Sequence, residues 1–429
     1  MITYILNLVI LGIIFSTLLK GAKGKPLEQH LIPGLTFKIA CGIAMGFLYR
    51  HYYTPDGDTY FLFNQASFLA DIFRDNPLTY FKLVFLNEFS EISKQFFQNW
   101  NQPRAFFFIK IISVVNILTA NNYWISSVYF SIFSFSGAFW LANLISEKFR
   151  ISKIGPAIAF LYFPSYVFWT SGIIKESVAA GCICFTIFLA LRCFDYKRWI
   201  PLLAPLAFCI FTILYLKYYY AAVLLPFLAI YCLYEIMKGK TGKLVIAGTA
   251  VACLILFITA LSVFHLNLTL SYFPTALFDN YLATIRLTEK PDLIFSRFTP
   301  SWAGIIRSLP EGIVTGLLRP FIWESEQNIQ LLAGLENFLT LCLSVSSLIY
   351  VFWVRKIKGN SVAWITLTYV VVLSGLIALA SPNFGSLLRY RVGYYPFFII
   401  LITCQNPAFD FFFSSFKITR KRPDVMPQP

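Results

Sequence analysis

Charge is scarce in this chain: 13% of its 429 residues are charged, with 20 acids against 35 Lys and Arg. A soluble domain carries about 25% charged residues, so an ordinary water-soluble protein is excluded. Histidine is scarcer still. His30, His51 and His265 are the three present, too scattered for a histidine-built zinc site. Cysteine is not rare, but eight of the nine (Cys41, Cys182, Cys184, Cys209, Cys232, Cys253, Cys342 and Cys404) sit inside apolar runs. That placement reads as packing and not as a disulfide frame. Gly239-Lys240-Thr241 lacks the earlier glycine of a phosphate-binding loop, Tyr234 standing in its place, so ATP hydrolysis has no support. No Gly/Ser linker, low-complexity tract or internal repeat divides the chain. No span carries the paired, Gly/Pro-broken charged helices of an ion-coupled transporter.

What is present is apolar, at 58% hydrophobic and 18% aromatic. Apolar stretches of about 15–25 residues, each closed by Lys or Arg, have the length of membrane-spanning helices. Barrel strands are about ten residues long and alternate; these runs are longer and solidly apolar. The expected fold is therefore all-α, a polytopic transmembrane helical bundle of about 11 spans. The spans are predicted at 2–19, 36–50, 123–146, 154–170, 177–193, 199–216, 219–236, 244–264, 328–353, 361–380 and 394–412. Segment 2–19 lacks a basic start and a small-residue cleavage site, and reads as a retained helix.

Many of the bases lie in short clusters between spans: Lys20, Lys23 and Lys25; Lys148, Arg150 and Lys153; Arg192, Lys197 and Arg198; Lys238, Lys240 and Lys243; Arg355, Lys356 and Lys358; Lys417, Arg420, Lys421 and Arg422. The net charge of +15 is thus mostly a topology signal and not a nucleic-acid footprint. An amino terminus outside places every cluster in the cytoplasm, as the positive-inside rule requires. Phe106–Leu118 is then read as an interfacial helix on the outer face, since counting it as a span forces the Lys148 cluster outside. The whole of 1–429 becomes one integral domain of the cytoplasmic membrane. Residues 1–35 form an extra helix and cytoplasmic loop, 51–122 a first outer loop, 265–327 a second outer loop, and 413–429 a cytoplasmic basic tail.

Five places on the outer side carry candidate chemistry. Asp56-Gly57-Asp58 follows the second span. Two carboxylates there can bind a divalent cation such as Mg or Mn, accept a proton or hold sugar hydroxyls; Pro-Asp-Gly is also a plain turn sequence. Lys175-Glu176 opens the span after Ser171-Gly172, where an acid also suits a helix start by the dipole alone. Lys217 stands among tyrosines between two spans. Arg319 ends the second outer loop, and Arg389 and Arg391 occupy the last outer turn. Each cation can serve a nearby acid or lipid headgroups. Together they suit a lipid-linked phosphate or pyrophosphate, which Arg grips in two places and Lys as a point charge.

The layout resembles the GT-C superfamily of polytopic glycosyltransferases, and within it bacterial surface-polysaccharide (O-antigen or exopolysaccharide) polymerase-like proteins. The likeness rests on Asp56-Gly57-Asp58, on a helix ending near Asn121-Asn122-Tyr123, and on Pro164, Trp169, Ser171, Gly172, Lys175 and Glu176. It covers residues 36–236 in layout, with Arg319-Pro320-Phe321-Ile322-Trp323-Glu324 and Arg389-Tyr390-Arg391 beyond. It implies catalytic roles for Asp56, Asp58 and Glu176, a metal at Asp56 and Asp58, and phosphate binding by Lys175, Lys217, Arg319, Arg389 and Arg391. The partners implied are a polyprenyl-linked sugar, membrane lipids and other polysaccharide-assembly proteins. A flippase of lipid-linked sugars and an accessory subunit are the alternatives. The chain departs from the family in its extra first helix and in lacking a large soluble carboxy-terminal domain.

Overall fold

The computed structural model describes residues 2–52, 58–89, 94, 96–97, 99–149, 154–195, 199–288, 292–325, 328–354, 361–404, 406 and 409. Among them every regular element is a helix. Among the described residues, seven helices are long and apolar enough to cross a membrane: Ile2–Ala22, Glu28–His51, Tyr123–Lys148, Lys175–Phe194, Ile200–Met237, Gln330–Phe352 and Ser361–Ala380. The protein is a helical membrane protein.

The helices in chain order are α1 (Ile2–Ala22), α2 (Leu31–His51), α3 (Asp58–Asp75), α4 (Pro77–Phe81), α5 (Pro103–Thr119), α6 (Tyr123–Lys148), α7 (Ile154–Ala157), α8 (Pro164–Trp169), α9 (Lys175–Asp195), α10 (Ile200–Met237), α11 (Lys243–Phe264), α12 (Phe273–Leu287), α13 (Trp302–Leu318), α14 (Asn328–Val354), α15 (Ser361–Ala380), α16 (Phe384–Tyr390) and α17 (Tyr395–Thr403). Several expected spans take a different form. Segment 154–170 is not one continuous helix: α7 passes into a π-helical turn at Ile158–Tyr162, and α8 restarts at Pro164. Proline has no N–H to continue a helix but is well placed in a first turn. The predicted pair 199–216 and 219–236 forms the two arms of α10, divided by the non-helical backbone of Lys217. The predicted span 244–264 is helical as α11, and the last predicted span is described as a helix only to Thr403. The tail 413–429 lies outside the described residues.

Each end of the bundle holds an acid between two cations. At one end Glu147 of α6 receives Lys25 Nζ at 3.1 Å and Arg192 Nη2 of α9 at 3.7 Å, gathering members of two basic clusters. The other end holds Glu176. Both arms of α10 run along α9 away from that end. Lys217 faces Glu176, Cys209 of the first arm meets Cys182, and Tyr231 of the second arm packs with Leu191 and Leu144.

Helix α5 lies across the Glu176 end. Its start places the Arg104 guanidinium 4.4 Å over the Tyr218 ring, and at its finish Thr119 Oγ1 is 2.7 Å from Ser126 Oγ. Helix α3 rests on α5, with Asn116 Nδ2 donating to Ser67 Oγ at 3.0 Å.

Helices α13 and α15 cross at very close range through Gly312, Gly316 and Gly375. A Cβ on Gly316 would collide with the Ser374 carbonyl, and one on Gly312 would sit 3.0 Å from Gly375 O. Small residues four apart allow this approach, which in a membrane maximises dispersion contact. Gly316→Val is therefore expected to cost about 1–3 kcal/mol by forcing the backbones apart. The lost stability would be read as a lowered melting temperature in mild detergent.

Candidate functional site

The turn between α8 and α9 is built to be buried. Thr170, Ser171, Gly172, Ile173 and Ile174 are almost without solvent exposure. Gly172 has φ +71°, a left-handed conformation that costs a β-carbon residue energy. Its N–H donates to Ser131 Oγ at 2.9 Å, and Ser134 Oγ donates to Thr170 O at 2.6 Å. Beneath the turn the buried Lys38 of α2 donates from Nζ to Thr170 Oγ1 and to Val167 O.

This turn delivers Glu176 to the first turn of α9 with 0% exposure. Its Oε1 lies 2.9 Å from Lys217 Nζ, and its Oε2 lies 2.8 Å from Arg389 Nε. Lys217 comes from the α10 break and Arg389 from the end of α16. The sequence sets α16 by capping: Asn383 Oδ1 accepts from Ser386 N–H at 3.1 Å, and Asp292 Oδ2 accepts from Phe384 N–H at 2.7 Å. Lys217 Nζ also sits 3.8 Å over the Tyr390 ring, a cation–π contact strengthened by burial. Tyr220 closes the cluster by donating to Tyr390 O at 2.8 Å.

Arg391 points elsewhere. It is 1% exposed, donates from Nη1 to Asn337 Oδ1 at 2.8 Å, and lies 5.0 Å from the Tyr395 ring centre. Beside Asn337, Glu336 accepts from the Ser165 N–H at 2.8 Å and from its hydroxyl. Arg319 is engaged with Glu324 through Nε at 2.8 Å and Nη2 at 2.6 Å. Asn337 Nδ2 donates to Pro320 O at 2.9 Å, so Asn337 ties Arg391 to the backbone beside Arg319. The structure thus brings Glu176, Lys217 and Arg389 into direct contact and sets Arg391 and Arg319 in a neighbouring layer.

A cavity of about 310 Å³ opens beside the cluster. Arg104, Lys175 and Lys217 line it, with Asn267, Asn280 and Ser381. No carboxylate lines it among the described residues. Its remaining walls are largely aliphatic, from α12 and α15. The arrangement can attract an anion: Arg104, Lys175 and Lys217 line a space whose other walls are low-dielectric surface, with the Lys217 ammonium already held by Glu176.

Asp56 lies outside the described residues, and Asp58 is the first residue of α3. Among the described residues no three His, Cys, Asp or Glu side chains cluster to hold a metal. Glu176 gives both oxygens to cations and does not fit such a role, so no step through a metal is derived.

Sequence reasoning passed over Arg104 and His265. Arg104 follows Pro103 at the start of an apolar helix and reads as a polar lead-in. His265 stacks on Tyr218 at 4.1 Å, on the ring that also carries Arg104. Its Nδ1 accepts from Asn267 N–H at 3.2 Å, capping a short helical turn. Burial, then the Arg104 charge, lowers its pKa from 6.5. The folded state therefore binds fewer protons here than the unfolded state, and stability falls as pH drops from about 6.5 through the lowered value. His265→Gln is expected to flatten that acid limb in thermal unfolding recorded from pH 8 to pH 5.

No family model, curated protein or solved structure matches the chain.

Proposed function

We propose that the chain transfers a glycosyl unit from a polyprenyl-phosphate or polyprenyl-pyrophosphate donor at the outer face of the cytoplasmic membrane, in surface-polysaccharide assembly. The observation that carries this reading is the cationic cavity beside the buried Glu176, Lys217 and Arg389 cluster. A bundle of about 11 spans accompanies it, with the arms of α10 and the broken 154–170 segment each crossing the bilayer. The amino terminus is outside and the carboxy terminus cytoplasmic. The gathering of Lys25 and Arg192 at the opposite end supports that orientation.

In the reaction, an acceptor hydroxyl attacks the anomeric carbon of the donor sugar. Its proton passes to Asp58 or Asp56 as a new C–O bond forms. The bond from sugar carbon to phosphate oxygen breaks, and the departing phosphate keeps the electron pair. Lys175 and Lys217 stabilise that developing charge, as fixed charges in a water-poor site do well. Glu176 holds Lys217 and Arg389 in place, while Arg319 and Arg391 frame the layer behind.

The test joins topology to turnover. A cysteine at position 58, on a background lacking reactive native cysteines, is expected to label with an impermeant thiol reagent applied to intact cells. Purified protein in vesicles is expected to release polyprenyl phosphate or pyrophosphate from a lipid-linked oligosaccharide while a longer glycan forms. Labelling only after permeabilisation, or movement of the intact donor across the vesicle with no glycan growth, would sink the proposal.

A further inference from the structure

Two consecutive residues of α14 grip the two chain segments that meet at the ion cluster. Glu336 accepts from the Ser165 N–H at 2.8 Å and from the Ser165 hydroxyl, at the start of α8. Asn337 Oδ1 accepts from Arg391 Nη1 at 2.8 Å and from the Tyr395 hydroxyl at 3.2 Å. From Ser165 the chain runs through α8 and the buried turn to Glu176, and from Arg391 it runs back two residues to Arg389. The carboxylate and its guanidinium partner are thus each held from the same point on a third helix. That helix stands outside the cluster: among the described residues, α14 supplies neither an ion pair with Glu176 nor a wall of the cationic cavity.

Both connections are stiff. On the acid's side, Ser171 Oγ donates to Val167 O and Thr170 Oγ1 to Tyr166 O, each at 2.6 Å, which locks the turn onto α8. Ser177 Oγ donates to Ile174 O at 2.7 Å and carries the lock into α9. On the cation's side, Arg391 and Asn337 are each 1% exposed, so no water replaces their bond when it is lost. Tyr395 joins the two sides, because the ring whose hydroxyl bonds Asn337 also packs on Phe163, just before α8, at 5.3 Å between centres. The grip point is itself seated: Asn337 Nδ2 holds Pro320 O at 2.9 Å, and a Cβ on Gly334 would sit 3.0 Å from Ile322 Cα. The bond from Arg389 Nε to Glu176, at 2.8 Å, tolerates little sliding of one segment past the other.

We infer that Glu336 and Asn337 are positioning residues, which together set the register between the segment that carries Glu176 and the segment that carries Arg389. Helix α14 thereby governs the cluster from outside it. A shift of α14 at this one turn separates the acid from its cation without touching either. The inference concerns the ion cluster alone and goes beyond the transfer reaction proposed for it.

The experiment observes Arg389 directly, by NMR of the full chain in detergent micelles with isotope-labelled arginine. The Nε–H resonance of Arg389 is assigned by its loss in Arg389→Lys. Its position in Glu176→Gln marks the guanidinium without an ionised partner. Glu336→Leu and Asn337→Leu are each expected to move the resonance of the otherwise unaltered protein toward that position. Glu336→Gln keeps one acceptor for Ser165 and is expected to move it less. Asn406→Leu, which strips an amide that bonds α14 farther along at Leu343 and Ser346, is expected to leave it in place. Urea unfolding in one detergent gives a second measurement. Residues that do not touch have effects that add to within about twofold in the unfolding constant. Acting through the Glu176–Arg389 pair, Asn337→Leu is expected to cost at least about fivefold less in the Glu176→Gln background than in the unaltered protein. An unmoved Arg389 resonance in the leucine variants would overturn the inference, as would strict additivity or an equal shift in Asn406→Leu. Should the leucine variants not fold, Glu336→Gln decides, and no movement there sinks it. A moved resonance with unaltered sugar transfer would keep the positioning role and remove the cluster from the reaction.

Discussion

Glu176→Leu is expected to destabilise the protein by about 3–5 kcal/mol, the usual cost of leaving buried charge uncompensated. The carboxylate has 0% exposure and lies within 2.9 Å of two cations. Removing it leaves Lys217, 7% exposed, and Arg389 facing each other with no counter-charge from α9. Glu176→Gln keeps the shape and one acceptor oxygen, so its loss is expected to be smaller. The mechanism predicts a specific rescue. Adding Lys217→Met to Glu176→Leu removes one stranded cation and is expected to recover part of the loss, a non-additivity proper to residues in contact. Urea or thermal unfolding in one detergent, on the two single variants and the double, measures it. Single losses that simply add would show that the ion pairs do not hold this end of the bundle together.

How far such a cluster was legible in the sequence depends on the distance over which its causes act. Composition and run length are local properties, and they sufficed for a helical membrane protein. The break at Lys217 was also local: a lone cation among tyrosines, between two apolar runs, marked a turn. What no local rule supplies is partnership. Arg389 and Arg391 are two residues apart, yet one pairs with Glu176 and the other with Asn337. The passage from α16 into the tighter turn at Arg391–Gly393 sends them apart. The treatment of 154–170 as an unbroken span had a readable warning in Pro164, whose ring cannot follow four helical residues without a kink. Arg104 had no such signal, because its importance comes from α5 lying across the bundle and meeting Tyr218.

The same limit applies to the acids after α2. Their sequence position is plain, and Asp58 begins a helix whose first turn is firmly seated. Thr59 is 1% exposed, Tyr60 donates from its hydroxyl to Gly46 O at 3.3 Å, and its ring stacks on Tyr123 at 4.3 Å. Asp58→Asn keeps the size and removes the ability to take up a proton, so turnover is expected to fall about 10²–10⁴-fold if Asp58 is the base. Donor affinity should stay near that of the unaltered protein, because the cations proposed to hold the phosphate are untouched. Asp56→Asn, measured beside it, identifies which acid takes the proton: the larger fall in turnover at saturating donor marks the base. A metal-ligand role would leave a different trace, since the Asn variant would then recover turnover as Mg or Mn is raised. Full turnover in the double variant would remove both acids from the reaction and leave the cationic cavity as a binding site without chemistry.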